Sequence, residues 1–238
     1  MGIRLVLVTN NASKTRLQYQ EHLQKMGLDC FDQTDIFSSG YGTAVYLKSQ
    51  KINNVFVIGF DGLREELRNH GIQVHDITTD PQIIPVQAVI IGKTDTFSFE
   101  EINRGIDLVC KYNAKLISTN IDPTFPLAHG VLVPGAGACA KTIEEGCGKK
   151  SDVIIGKPSK ILFDIVLNEL NVTVDDIIMV GDRIITDIAF ASRNNARSIL
   201  VLSGVDTQKT VDEADEMDKP TYVLPSLNEI VELIEKMI

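Results

Sequence analysis

Three short segments of the 238-residue chain hold residue types that could bind and polarise a phosphoryl group, each where an apolar run gives way to polar residues. In Leu5-Val-Leu-Val-Thr9-Asn10-Asn11-Ala-Ser13 the run ends in a hydroxyl and two amides, ahead of a helix. The backbone N–H groups left open there suit phosphate oxygens; the plain alternative is that Asn11 or Ser13 caps the helix. In Val153-Ile-Ile-Gly156-Lys157-Pro158-Ser159 a lysine stands between a glycine and a proline that falls in the first turn of a helix. Its ammonium could neutralise a phosphoryl group or a nearby carboxylate, or it could face solvent like many strand-end lysines. In Ile177-Ile-Met-Val-Gly181-Asp182-Arg-Ile-Ile-Thr-Asp187 two carboxylates five positions apart follow an apolar strand. Hard oxygen donors in that place suit Mg²⁺, which accepts few protein carboxylates and keeps waters and phosphate oxygens as its other ligands. Otherwise Asp182 is a turn residue and Asp187 the cap of the next helix. Two carboxylates together favour the metal.

Such residues need a frame. Strand-like runs occupy Arg4–Val8, Asn54–Ile58, Ala88–Ile91, Lys115–Ser118, Asp176–Val180 and Ser198–Leu202. Helical patterns lie between them, around Lys14–Met26, Gly42–Gln50, Gly62–Asn69, Phe99–Tyr112, Pro158–Leu170 and Thr186–Asn194, with a last one over Ser226–Met237. Strand-then-helix alternation predicts an α/β protein with a mainly parallel sheet, and such sheets bind ligands at the C-terminal ends of their strands. All three segments fall there. Polar stretches at 49–53 and 146–151 look like linkers. They predict an inserted domain over 49–150, with the core assembled from 1–48 and 151–238.

Composition removes other classes. A net charge of −9, with no basic cluster longer than Lys149-Lys150, argues against nucleic acid as a partner. The apolar runs are strand-sized, far short of a bilayer span, so no membrane partner is expected. The N-terminus lacks the pattern of a signal peptide. Cys30, Cys110, Cys139 and Cys147 show no CxxC or metal-type spacing, so reduced thiols in a cytoplasmic protein are the expectation.

In this order the three segments resemble motifs two, three and four of the haloacid-dehalogenase-like (HAD) superfamily: a strand-end Thr or Ser, a Lys, and a Gly-Asp…Asp pair. Phe37-Ser-Ser-Gly-Tyr41, Thr119-Asn-Ile-Asp-Pro-Thr-Phe-Pro126, Pro134-Gly-Ala-Gly137 and Leu200-Val-Leu-Ser-Gly-Val205 narrow the likeness to the 4-nitrophenylphosphatase group. That group includes phosphoglycolate and pyridoxal-phosphate phosphatases and lies close to the bacterial NagD type. The likeness runs over essentially the whole chain. It implies a Rossmann-like core with an inserted C2-type α/β cap, and Mg²⁺-dependent hydrolysis of a small phosphorylated metabolite through an aspartyl-phosphate. It further implies that Thr9, the Asn10 amide and Asn11 bind the phosphoryl group, that Lys157 balances its charge, that Asp182 ligates Mg²⁺ and that Asp187 holds a water on the metal. The loop from Asn120 to His129 resembles the group's substrate-selecting segment, though His129 reads equally well as an ordinary loop residue. Relatives often pair through their caps, which makes a homodimer an expectation.

The family's first motif, an apolar strand ending in Asp-x-Asp-Gly that carries the nucleophile, does not occur in the 238 residues. Val55-Phe-Val-Ile-Gly59-Phe-Asp61-Gly62 imitates it, but glycine stands at Gly59 where the nucleophile belongs. Gly135-Ala-Gly-Ala-Cys-Ala-Lys141-Thr142 is one residue away from a phosphate-binding P-loop, with Ala140 in place of the last glycine, and reads as a helix start. The missing strand lies centrally in the family's sheet, so its absence leaves open edges at the strands ending at Thr9 and Asp182. Three explanations are open: a truncation, a silent paralogue, or a strand supplied by another chain. Truncation is preferred. Turnover by these residues alone is not expected.

Overall fold

Uninterrupted apolar runs of four or five residues, each followed by a helix, allow only crossover connections, and parallel sheets are the result. The computed structural model describes residues 2–126 and 131–237. Contacts divide the chain into two units, one reaching Gly156 and one starting at Lys157.

The first unit contains β1 (Leu7–Thr9), α1 (Arg16–Lys25), β2 (Ile36–Ser38), α2 (Ser39–Ser49), β3 (Asn54–Ile58), α3 (Asp61–Asn69) and β4 (Gln73–His75). It continues through β5 (Ala88–Ile91), α4 (Phe99–Tyr112), β6 (Lys115–Ser118), β7 (Thr124–Pro126), β8 (Leu132–Pro134), α5 (Ala136–Cys147) and β9 (Val153–Ile154). Strands β1 and β2 pair in parallel, with Thr9 opposite Ser38. A second sheet, ordered β4-β3-β5-β6-β9, is parallel throughout. Its alternate residues Phe56, Ile58, Val89, Ile91 and Leu116 pack against Leu108 and Val109 of α4 and Cys139, Ala140 and Ile143 of α5. The period of two on the strands and of three to four on the helices thus meets in one apolar layer. β7 and β8 form an antiparallel hairpin beside it.

The second unit contains α6 (Lys160–Leu170), β10 (Ile178–Gly181), a π-helical turn at Ile184–Ile188, α7 (Ala189–Ser192), β11 (Arg197–Val201), α8 (Gln208–Asp212), β12 (Tyr222–Leu224) and α9 (Ile230–Met237). Its sheet, β10-β11-β12, is also parallel. Ile184, Ile188, Leu200 and Val211 make the apolar contact between sheet, turn and α8. Arg193 holds Asp218 with two bonds, Nε to Oδ1 at 2.9 Å and Nη2 to Oδ2 at 2.5 Å.

Strands β3, β5 and β6 and helix α4 lie where the apolar runs placed them, because their ends carry strong local signals. Ser98, for example, caps α4 reciprocally with Glu101. Other expectations shift. The first strand is Leu7–Thr9 rather than Arg4–Val8, since Arg4 turns aside to Asp35, its Nη2 2.8 Å from Oδ1. Pro158 precedes α6 instead of sitting in its first turn; Ser159 is the cap, accepting from the Ile161 N–H at 3.3 Å. The five-stranded sheet also takes in β9, whose Val153 and Ile154 pair with Ile117 and Ser118 of β6. Among the described residues β1 bonds only to β2 and β10 only to β11, an open edge on each. Their side chains are half-buried, whereas those of β5 are buried throughout.

Two measurements check this packing. A Cβ on Gly62 would lie 2.2 Å from the Ser13 carbonyl oxygen and 2.7 Å from Lys14 Cα, both backbone atoms. Gly62→Ala is therefore expected to cost about 2 kcal/mol or more in urea unfolding, because backbone cannot step aside. Gly27→Ala, at φ +79° with nothing within 4 Å, should cost only about 1 kcal/mol of backbone strain. The Arg193 hydrogen bonds hold the Asp218 carboxyl below the usual carboxylate range. A folded-state value below the unfolded one, about 3.9, gives stability that is present above that pH and lost as pH falls through the folded value. Asp218→Asn should flatten the acid limb of the urea stability profile below about pH 5.

Candidate functional site

In the first unit the chain after β1 is folded by its own side chains. Thr9 Oγ1 accepts from the Asn11 N–H at 3.1 Å, and Asn11 Oδ1 accepts from the Ser13 N–H at 3.0 Å. The Tyr19 hydroxyl donates to the Asn11 carbonyl at 2.7 Å, and burial pushes that phenol above its ordinary range. The cap of α1 is Thr15, reciprocal with Gln18, so neither Asn11 nor Ser13 caps the helix. They shape the loop instead.

Asn10 is the hub. Its buried amide donates to both oxygens of Asp122, at 3.3 and 3.2 Å, and its carbonyl accepts from Ser39 Oγ at 2.5 Å and Asn120 Nδ2 at 2.7 Å. A Cβ on Gly156 would lie 2.5 Å from Asn10 Oδ1, so only glycine lets β9 end there. Residues following β1, β2, β6 and β9 therefore converge, all from the C-terminal ends of parallel strands. On the end of β5, Lys93 Nζ lies 4.6 Å from the Phe60 ring centroid, 4.7 Å from that of Phe125 and 3.5 Å from Asp95. Its carbonyl accepts from the Phe60 N–H at 3.1 Å, which joins the ends of β3 and β5. His129 lies outside the described residues.

In the second unit Lys157 Nζ donates to Asp187 Oδ1 at 2.6 Å, with both side chains 9% exposed. Asp187 Oδ2 accepts from the Arg183 N–H at 3.2 Å. Lys157 is thus no solvent-facing lysine, and Asp187 sits within the π-helical turn rather than at a helix cap. Gly181 permits the arrangement, since a Cβ there would lie 2.4 Å from Asp187 Cγ. Asp182 is tied elsewhere, its Oδ2 accepting from the Val205 N–H at 3.0 Å over Gly204, whose Cβ would strike that carboxylate. Asp206 completes the turn, bonding the Asp182 carbonyl through its N–H at 3.0 Å and the Ile184 N–H through Oδ2 at 2.6 Å.

As a metal site the donor set is sparse. Among the described residues no three His, Cys, Asp or Glu side chains gather around one point. Asp182 keeps Oδ1 without a protein partner among those residues, because Val205 occupies Oδ2. A lone hard oxygen fits Mg²⁺, which retains most of its waters, and does not fit the closed N/S set that Zn²⁺ takes.

Ser39, Asn120 and Asp122 lie in segments that carried the family likeness but were given no contact with Asn10, and Asp206 was not singled out from the sequence. Asp122 is 112 residues from Asn10, and only the fold joins them. Asp61, the residue that imitates a nucleophile motif, has a fully exposed side chain 3.8 Å from Arg64, and Gly59 is packed against Leu63. The decoy Gly135–Thr142 segment starts α5 after Gly135, as a helix start should.

The Lys157–Asp187 pair yields a test. Lys157→Met leaves a buried carboxylate without its cation and should cost about 3–5 kcal/mol in urea unfolding. Lys157→Met with Asp187→Leu should recover most of that loss, giving a large coupling energy in the double-mutant cycle.

Parallel strands that end in a Thr-Asn-Asn loop, a buried Lys–Asp pair and a Gly-Asp turn define an α/β protein whose chemistry lies at its strand ends. Comparison with known proteins makes this specific. Residues 1–73 match the family model described as Haloacid dehalogenase-like hydrolase, and 154–230 match the one described as HAD-hydrolase-like. Glycerol-3-phosphate phosphatase of Rattus norvegicus is 31% identical over 91% of this chain and 74% of its own length. The p-nitrophenyl phosphatase from Archaeoglobus fulgidus superposes with a TM-score of 0.86 at 30% identity, over 98% of this chain and 87% of that one. Glycerol phosphate phosphatase from Mycobacterium tuberculosis, solved in complex with magnesium, superposes with a TM-score of 0.86 at 25% identity, over 97% and 68%. The chain belongs to the haloacid-dehalogenase-like hydrolases, in the 4-nitrophenylphosphatase and NagD-like group.

Proposed function

We propose that this chain binds small phosphomonoesters as a member of a Mg²⁺-dependent phosphatase lineage, and that its 238 residues by themselves do not turn them over. The observation that carries the first half is the buried Lys157–Asp187 pair. Two desolvated charges cost more than an apolar pair of the same size would, so their retention favours a chemical use. Lys157 supplies the positive charge that a phosphoryl group requires, and Asp187 holds that ammonium in place. The Thr9 hydroxyl, the Asn10 amide and Asn11 receive the phosphoryl oxygens. Asp182 is the carboxylate that would hold Mg²⁺; when bound, the ion supplies charge neutralisation for the phosphoryl group. The relatives named above are phosphatases of glycerol phosphates and of p-nitrophenyl phosphate. For this chain the substrates proposed are small esters of the 4-nitrophenyl phosphate, phosphoglycolate or pyridoxal phosphate type.

The second half rests on the absence of Asp-x-Asp-Gly from the 238 residues and on the exposed position of Asp61. The alternative reading is a catalytically silent protein with a binding or regulatory role. Residues 49–150 are proposed as the cap and 1–48 with 151–238 as the core, with a homodimer formed through the cap. No helix among the described residues is long and apolar enough to cross a membrane. Four unpaired thiols suit a reducing, cytoplasmic setting.

Calorimetric titration with inorganic phosphate in Mg²⁺ should show binding that Thr9→Val weakens about tenfold, the worth of one hydrogen bond to a charged group. Absence of phosphate binding would overturn the lineage's ligand chemistry in this chain. In a 4-nitrophenyl phosphate assay with Mg²⁺ the chain should give no turnover. Clear turnover that Asp182→Ala abolishes would overturn both the silent reading and the assignment of a missing nucleophile.

A further inference from the structure

Cys110 and Cys147 are 37 positions apart in sequence, yet the packing of α4 on α5 brings their thiols together. The helices meet without a spacer. A Cβ on Gly146 would lie 2.3 Å from Ile106 Cδ1 and 3.0 Å from its Cγ1, so α5 touches α4 at the residue just before Cys147. Cys110 follows Ile106 by four positions, one turn further along the same helix face. Ile106 and Cys147 both pack on the apolar layer between the sheet and these helices. Burial first, and then the neighbouring Cys110 thiol, push the Cys147 thiol up to about 11. Cys110 is exposed and Cys147 half-buried, so one thiol of the pair is open to a reagent and the other waits beside it.

We infer that Cys110 and Cys147 are a redox-modification site, a dithiol that a small disulfide such as oxidised glutathione converts to an intramolecular disulfide. The exchange proceeds in two displacements. The Cys110 thiolate attacks one sulfur of the small disulfide; its S–S bond breaks, a mixed disulfide forms on Cys110, and one glutathione thiolate leaves. The Cys147 thiolate then attacks Cys110 Sγ, forming the Cys110–Cys147 bond and expelling the second glutathione. Two electrons pass from the protein to the reagent, and the two thiol protons end on the two glutathiones. The cross-link closes the segment holding β6, the β7–β8 hairpin and α5, and therefore Asn120 and Asp122, the partners of Asn10.

The other two cysteines serve as controls: Cys139 is buried and its thiol is pushed up by burial, and Cys30 is exposed. Incubation of the whole chain with oxidised glutathione at mildly alkaline pH, then alkylation and non-reducing peptide mapping, should yield a peptide joining Cys110 to Cys147. Two thiols should disappear by titration beyond any adduct on Cys30, and a reducing agent should restore them. Cys147→Ser should arrest Cys110 as a glutathione adduct, while Cys30→Ser should leave the cross-link intact. The cross-linked form should melt at a higher temperature than the reduced one, because its unfolded chain is shortened by a loop. Cys110 found only as a glutathione adduct in the chain with Cys147 present, or no reaction at Cys110, would overturn the inference.

Discussion

Several side chains of this protein lie directly against backbone at the ends of parallel strands, and the site depends on the room left there. Asn10 rests on Gly156, Asp187 on Gly181 and Asp182 on Gly204, each so close that a single methyl group would displace it. A parallel sheet gathers its loops at one edge, which brings polar groups together, but the strand ends would hold them apart if they carried side chains. Glycine removes that obstacle. The amide and carboxylates can then spend their hydrogen bonds on neighbouring backbone and on each other, and their positions are fixed before any ligand arrives.

What is gathered differs in kind between the two units. Around Asn10 the interactions are amide, hydroxyl and carbonyl contacts, with the Asp122 carboxylate bonded to the Asn10 side chain. Around Lys157 the central contact is an ion pair removed from water. The first arrangement positions N–H groups at little electrostatic cost. The second holds charge at considerable cost, and that cost is what ties it to chemistry in place of stability. The same reasoning separates Asp182 from Asp187. One carboxylate is committed to a lysine and a turn N–H, whereas the other shows one oxygen bonded and one open to a hard cation.

Sequence and structure agree where the signal is local. The runs at β3, β5 and β6 are apolar throughout, and α4 carries a reciprocal cap, so each lies where neighbouring residues alone put it. The short strands β2, β4, β7, β8 and β12 were not foreseen, because three residues carry no periodicity to read. The helix after Thr9 was given the wrong cap because Asn11, Ser13 and Thr15 are all competent cap residues. The loop's own hydrogen bonds, Asn11 to Ser13 and Tyr19 to Asn11, leave Thr15 as the cap.

The sequence by itself determined the residue types at the site, their order and their family, since a Thr-Asn-Asn strand end, a Gly-Lys-Pro and a Gly-Asp turn are contiguous patterns. It also showed that no Asp-x-Asp-Gly is present in the chain. Only the tertiary structure decided what those residues touch. That Asn10 binds Asp122, that Asp182 reaches Val205, that Lys157 is buried and that Cys110 meets Cys147 all depend on elements far apart in the chain. Spacing along a chain carries no information about such encounters. They are set by which strand pairs with which and by how closely two helices can approach.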